Sequence, residues 1–226
     1  MQKKTKRSIA AVILIVAVIG IAFAVWPKDF DAKAYVQAVL DLTFQEDVVQ
    51  ASAVIEGTSR VELREQYKNT IAQFVTDHIT GGTDISAGRN EDFEKLAADI
   101  FRIMRYDVRE AKKIHKDKYE VEVKIHPADV FEKFVEGVKQ DSEALLQKAE
   151  AGEYAGTEAE INEQMQYEFV LHAYHLLESA YEDISYKEEE AVILSVERGE
   201  DKTFEINEEE FREFLIKIVG LGEIED

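Results

Sequence analysis

The chain has 226 residues, 46% hydrophobic and 33% charged, with a formal net charge of −20 and no cysteine. The missing cysteine excludes disulfides, thiolate metal sites, a cysteine nucleophile and a lipid anchor on cysteine. The acidic surface repels phosphate backbones and anionic lipid or polymer, so no nucleic-acid binding is expected; it attracts cations and otherwise serves solubility.

The first element is the apolar stretch from Ser8 to Trp26. Ile9–Val25 runs 17 residues without a charge or a proline, and as a helix it would reach about 26 Å. That is at the short end for a membrane-spanning helix and slightly long for a secretory h-region. Lys3, Lys4, Lys6 and Arg7 precede it, which keeps that end in the cytoplasm and sends the remainder out. Trp26 sits where an interfacial aromatic belongs. The pattern predicts a cytoplasmic tail over 1–7, a single-pass signal-anchor over 8–26 and an extracytoplasmic domain over 27–226. Ala22-Phe23-Ala24 is an A-x-A-like cleavage site, so secretion after cleavage near Ala24 is the alternative. Four of the 27 basic residues and none of the 47 acidic ones precede Pro27, which leaves the outer part with 23 basic against 47 acidic residues.

The domain reads as helices with two strand pairs. Val36, Val39, Leu40 and Phe44 mark one helical face between Asp31 and Glu46, and a short helix follows from Val48 to Ile55. Ser59 and Glu62 form a capping box. It opens a helix with Tyr67, Ile71, Phe74, Val75 and Ile79 on one side, ending near His78, where a cation is favoured. Gly81 to Gly88 reads as a loop. Asn90 is expected to cap the next helix, which buries Phe93, Leu96, Ala97, Ile100 and Met104. The period then changes to two: Tyr119, Val121, Val123 and Ile125 alternate with charged residues in a half-buried strand. Tyr106, Val108 and Ile114 lie on its partner across the turn at Lys116-Asp117-Lys118. Pro127 is expected at the first position of a helix, capped by His126, with Phe131, Phe134, Val135, Val138, Leu145 and Ala149 inward. Thr157 and Glu160 form a second capping box before Ile161, Met165, Phe169, Ala173, Leu176, Leu177 and Ala180. Ala191–Val196 is an apolar strand that turns at Gly199–Lys202 and returns through Phe204 and Ile206. Asn207 and Glu210 frame the last helix, which Gly220 closes. The sum is an α+β domain, with both hairpins in one antiparallel sheet and amphipathic helices packed on it. Helix, loop, helix, strand, turn, strand occurs twice, over Ser59–Ile125 and Pro127–Ile206, as a duplication would produce.

The chain contains no dinucleotide fingerprint, phosphate-binding loop, nucleophile elbow, zinc-protease motif or EF-hand loop. The one local constellation is Glu168, His172 and His175, at i, i+4 and i+7 on one helical stripe, with Glu178 at its edge. Such a set can contribute to a Zn²⁺ or Cu²⁺ site, though it needs a fourth group. As ordinary surface pairs the same residues need no metal. The acidic runs Glu188–Glu190 and Glu208–Glu210 could gather Ca²⁺, and the second also suits a helix N-terminus. Tyr167, Tyr174, Tyr181 and Tyr186 could line a groove for sugar or peptide, or serve packing.

Three segments carry a resemblance: AYVQAVLDLTFQEDVVQA, IHKDKYEVEVKIHPADVFEKF and EAGEYAGTEAEINEQMQYEFVLHAYHLLESA. Together they resemble a group of uncharacterised extracytoplasmic proteins of Gram-positive, often gut-dwelling, bacteria that are commonly lipoproteins. Those carry a cysteine after the signal; here the Ile9–Val25 helix would replace the lipid. The resemblance implies an address and no activity. The sequence thus points to a membrane-anchored domain that binds an envelope protein, peptide or glycan, without catalysis and without a cofactor. A divalent-cation binder through Glu168, His172 and His175 is one alternative. A cell-wall-acting enzyme using paired carboxylates is the other.

Overall fold

The computed structural model describes residues 30–221 apart from 56, 57, 82, 84 and 200–202. The tail, the Ile9–Val25 run, the cleavage tripeptide and most of the Gly199–Lys202 turn therefore lie outside the described residues. Among the described residues no helix is long and apolar enough to cross a membrane.

The order is α1 (Ala32–Gln45), α2 (Val48–Val54), α3 (Arg60–Phe74), a π-helical turn (Val75–Ile79), α4 (Ala87–Arg102), β1 (Arg105–His115), β2 (Lys118–His126), α5 (Val130–Glu150), α6 (Glu158–Glu182), β3 (Glu190–Arg198), β4 (Phe204–Ile206) and α7 (Glu208–Ile218). The four strands form one antiparallel sheet in the order β1-β2-β3-β4. Pairing of Lys118–Ile125 with Glu190–Glu197 joins the two hairpins into that sheet. The helix–helix–strand–strand order repeats, but the second helix pair is the longer, 21 and 25 residues against 15 and 16.

Caps set the helix starts. Asp31 accepts the Ala34 N–H and Asp47 accepts those of Val49 and Gln50. Both capping boxes are complete, at Ser59/Glu62 and Thr157/Glu160. Two expected starts are corrected. Ser86, not Asn90, caps α4: its hydroxyl accepts the Arg89 N–H, and Asn90 lies one turn in with its amide donating to Glu94. A helix beginning at Pro127 would lose a connection that the fold uses. The Pro127 carbonyl accepts the Lys187 N–H, and Ala128 bridges to Tyr186. The helix therefore waits until Val130. His126 ends β2, with Nδ1 3.4 Å from the Lys187 carbonyl, and caps nothing.

One core runs through the domain. α1 packs on β1 and β2, and α7 on β3. Val121, Val123, Ile125, Leu194 and Val196 form the covered face of the sheet, beneath Tyr35, Leu40, Phe44 and Phe214. Two apolar residues of the strand pattern turn outward instead. Ile114 is exposed because beyond Val108 the outer strand carries no buried residue, and Ile193 because it alternates with buried Leu194 on β3 and so takes the uncovered face of the sheet, opposite Glu122. A register shift between Val108 and Ala111 marks that point on the outer strand.

Glu210 has a role that its acidic run did not announce. Its carboxylate leaves the cap to Asn207 and accepts both the N–H and the hydroxyl of Ser195. Ser195 is buried at 4% exposure, so it has little water to fall back on. Glu210→Ala should therefore cost about 1–3 kcal/mol, the desolvation penalty of the orphaned donors. Urea unfolding would measure it, and Glu209→Ala, at an exposed neighbour, should cost far less.

Candidate functional site

α4 and the N-terminal half of α6 stand apart at their outer ends and leave an open groove of about 890 Å³. Ile85, Val170 and Leu171 provide its apolar surface; Arg89, Glu163, Gln164 and Gln166 supply charges and amides; Tyr167 stands on the rim, 69% exposed. The groove is held in shape from both sides. The Arg89 guanidinium lies 5.7 Å from the centre of the Tyr174 ring and pairs with Asp92 at 3.8 Å. Tyr174 in turn meets Phe93 edge-on at 5.4 Å. On the other wall, the Gln164 amide donates to the carbonyls of Ala155 and Glu160, tying the α5–α6 loop to α6. The Glu160 carboxylate is occupied by its capping box, which holds its pKa below the usual carboxylate range. A concave surface of this size with an aromatic rim and a few fixed polar groups suits a small ligand or a short chain.

The predicted stripe on α6 divides. Glu168 and His172 turn toward α5 and the loop after it, where Asp141, Lys148 and Tyr154 complete a polar clasp. Glu168 pairs with Lys148 and accepts the Tyr154 hydroxyl at 2.6 Å. These bonds hold the Glu168 carboxyl below its ordinary pKa and push the Tyr154 hydroxyl up to about 12. His172 Nδ1 lies 2.6 Å from Asp141 Oδ1, and its Nε2 lies 3.7 Å from Glu168. His175 stands apart, largely exposed, beside Glu178 at 3.6 Å. Among the described residues no group of three or more His, Asp or Glu side chains is placed to hold a metal ion. Within the clasp, the Lys148 ammonium occupies the carboxylate that a metal would need.

Asp141, Lys148 and Tyr154 were not foreseen as partners. The available signal was the short loop between two long helices. In an antiparallel hairpin, each step back along one helix meets a step forward along the other, so Lys148 faces Glu168 and Asp141 faces His172. The tyrosines also divide. Tyr167 lines the groove and Tyr174 buttresses it. Tyr181 packs against the core, and Tyr186 lies under Arg105 at 3.6 Å while its hydroxyl donates to the Ile103 carbonyl. In each acidic run one member is already engaged: Glu189 with Lys124, and Glu210 with Ser195.

No protein family and no curated protein matches the chain. Among solved structures it is similar to a crystal structure of a Bacillus subtilis protein described as a lipoprotein, YcdA. The identity is 12% and the TM-score 0.46, over 82% of this chain and 55% of that one. The chain thus spans about half the length of that neighbour.

Proposed function

We propose that the chain is a non-catalytic envelope receptor, held at the membrane through Ile9–Val25, that captures a peptide or glycan in the α4–α6 groove. The observation that carries this reading is Tyr167: a large ring left 69% exposed on the rim of a groove in which Arg89 is held by an ion pair, Ser86 and Glu160 by helix caps and Gln164 by backbone carbonyls. An aromatic face with amides and a guanidinium nearby matches the alternating apolar and polar surfaces of sugars and peptides. Two of the groove's polar side chains, Ser86 and Glu160, are engaged as helix caps, which supports binding over reaction at those positions. The basic flank and apolar run at the N-terminus support the address.

Thermal unfolding of the full chain in detergent, with a panel of envelope peptides and glycans, tests the reading. A ligand at 100 times its Kd should stabilise the fold by about 2.7 kcal/mol. Tyr167→Ala should weaken that ligand about tenfold or more, about 1.4 kcal/mol, while leaving the unliganded stability nearly unchanged. A shift that persists at full size in Tyr167→Ala would remove the groove from consideration. A shift produced by metal and abolished by chelator would favour the cation-binding alternative.

A further inference from the structure

The domain is acidic, but one projection is not. Ala111–Lys118, the tip of the β1–β2 hairpin, carries Lys112, Lys113, Lys116 and Lys118 against a single acid, Asp117. Asp117 is paired with Arg198, and Lys118 with Glu197. Lys112, Lys113 and Lys116 remain exposed, and Ile114 between them is 41% exposed. An apolar side chain among lysines on a projecting tip is a chemistry suited to an anionic lipid surface, with ammonium groups at the phosphates and the hydrocarbon below them.

The path of the chain points the same way. Phe30, the first described residue, stacks on Phe204 at 4.0 Å with the rings 8° apart and meets Tyr119 at 5.5 Å. Tyr119 is the register partner of Lys113. The chain therefore enters the domain beside the basic tip. Trp26 is four residue steps earlier, which allows at most about 14 Å of extended chain. The opposite end of the sheet, near Glu188, is a nine-residue strand away, about 30 Å.

We infer that the β1–β2 tip docks on an anionic lipid bilayer through Lys112, Lys113, Lys116 and Ile114, and so fixes which end of the domain faces the membrane. The inference rests on the proposed membrane anchorage through Ile9–Val25. The charge arrangement is complementary at the tip: Lys112, Lys113 and Lys116 turn toward the lipid phosphates, while Glu120 and Glu197 sit opposite Lys112 and Lys118 on the neighbouring strands.

The chain has no native cysteine, so His115→Cys and Glu188→Cys each offer one labelling site, at the tip and at the far end. Each labelled full chain is reconstituted into phosphatidylcholine vesicles with or without phosphatidylglycerol, and quenching by headgroup spin-labelled lipid is read. Quenching at position 115 should exceed that at 188 at least threefold with phosphatidylglycerol. It should fall toward the phosphatidylcholine level in high salt, and also when Lys112, Lys113 and Lys116 are all changed to Gln. Equal quenching at both positions, or quenching at 115 that the three substitutions leave unchanged, would overturn the inference while the anchor stands. Release of the chain from the vesicles by alkaline wash would overturn the anchorage itself, and the docking with it.

Discussion

Gly220→Ala is expected to be among the most damaging single substitutions in the domain, although it adds one methyl group near the end of the last helix. Gly220 has φ of 75°, and a Cβ built there would lie 2.1 Å from the Ala128 carbonyl oxygen. That oxygen belongs to the backbone of the β2–α5 connection, which is held in turn. The Ala128 N–H donates to the Ile218 carbonyl, the Asp129 N–H to Ser185, and the Lys187 N–H to Pro127. Neither side can yield without breaking several of these bonds. The left-handed conformation alone costs a side chain about 1–2 kcal/mol. With the clash added, a loss of at least about 3 kcal/mol is expected, in the range reserved for named structural lesions. For a domain of this size that is a fall in Tm of roughly 10 °C. Gly152→Ala is the matched control. Its φ is 74°, but nothing lies within 4 Å of the new methyl, so it should pay only the conformational part. Thermal unfolding of the two variants side by side separates clash from conformation. Equal losses would show that the close approach contributes nothing.

Phe44→Ala should be as severe for a different reason. Phe44 has no exposed surface. Its ring centre lies 5.4 Å from that of Tyr106, 5.9 Å from Phe101 and 6.4 Å from Phe214. Those rings come from β1, α4 and α7, so the truncation would open a cavity where four elements meet. Losses of about 3–5 kcal/mol are typical of a buried Phe→Ala change. Leu146→Ala, at a half-exposed position of α5, should fall within about 0.5 kcal/mol. Chemical denaturation would measure both, and a Phe44→Leu variant should recover part of the loss.

Most of the local structure was legible because it is decided locally. Ser59–Glu62 and Thr157–Glu160 are reciprocal bonds within four residues, and both formed. The helical faces through Val36, Phe93 and Phe131 were visible as periodicity, the first hairpin as alternation around a short turn, and the second as an apolar run followed by a turn. What failed depended on contacts distant in sequence. Pro127 is a good first helical residue in isolation, but the Lys187 N–H competes for its backbone. Asn90 has cap chemistry, but Ser86 reaches the free N–H groups first. Ile114 alternates as a buried residue should, yet no helix covers that part of β1.

The groove was legible only in fragments. Tyr167 and Tyr174 share a helix side, as their spacing required, but Arg89 and Ile85 come from a segment about 80 residues earlier. The Glu168–His172 pair was visible as i,i+4, whereas Asp141 and Lys148, which decide what that pair does, arrive only when α5 folds against α6. A periodicity reports which side of a helix faces inward; it does not report which neighbour will be there.

β1 also has a consequence for the crowded state. Among the described residues it pairs only with β2, so one full edge of an 11-residue strand faces outward. An open edge of that length is a template on which a second copy could continue the sheet. Arg105, Asp107, Arg109, Glu110, Lys112 and Lys113 set charges along it, and the register shift after Val108 breaks the straight run of hydrogen-bonding groups that a docking strand would need. The same interruption that carries the hairpin beyond its helical cover thereby protects neighbouring molecules from sheet-to-sheet polymerisation.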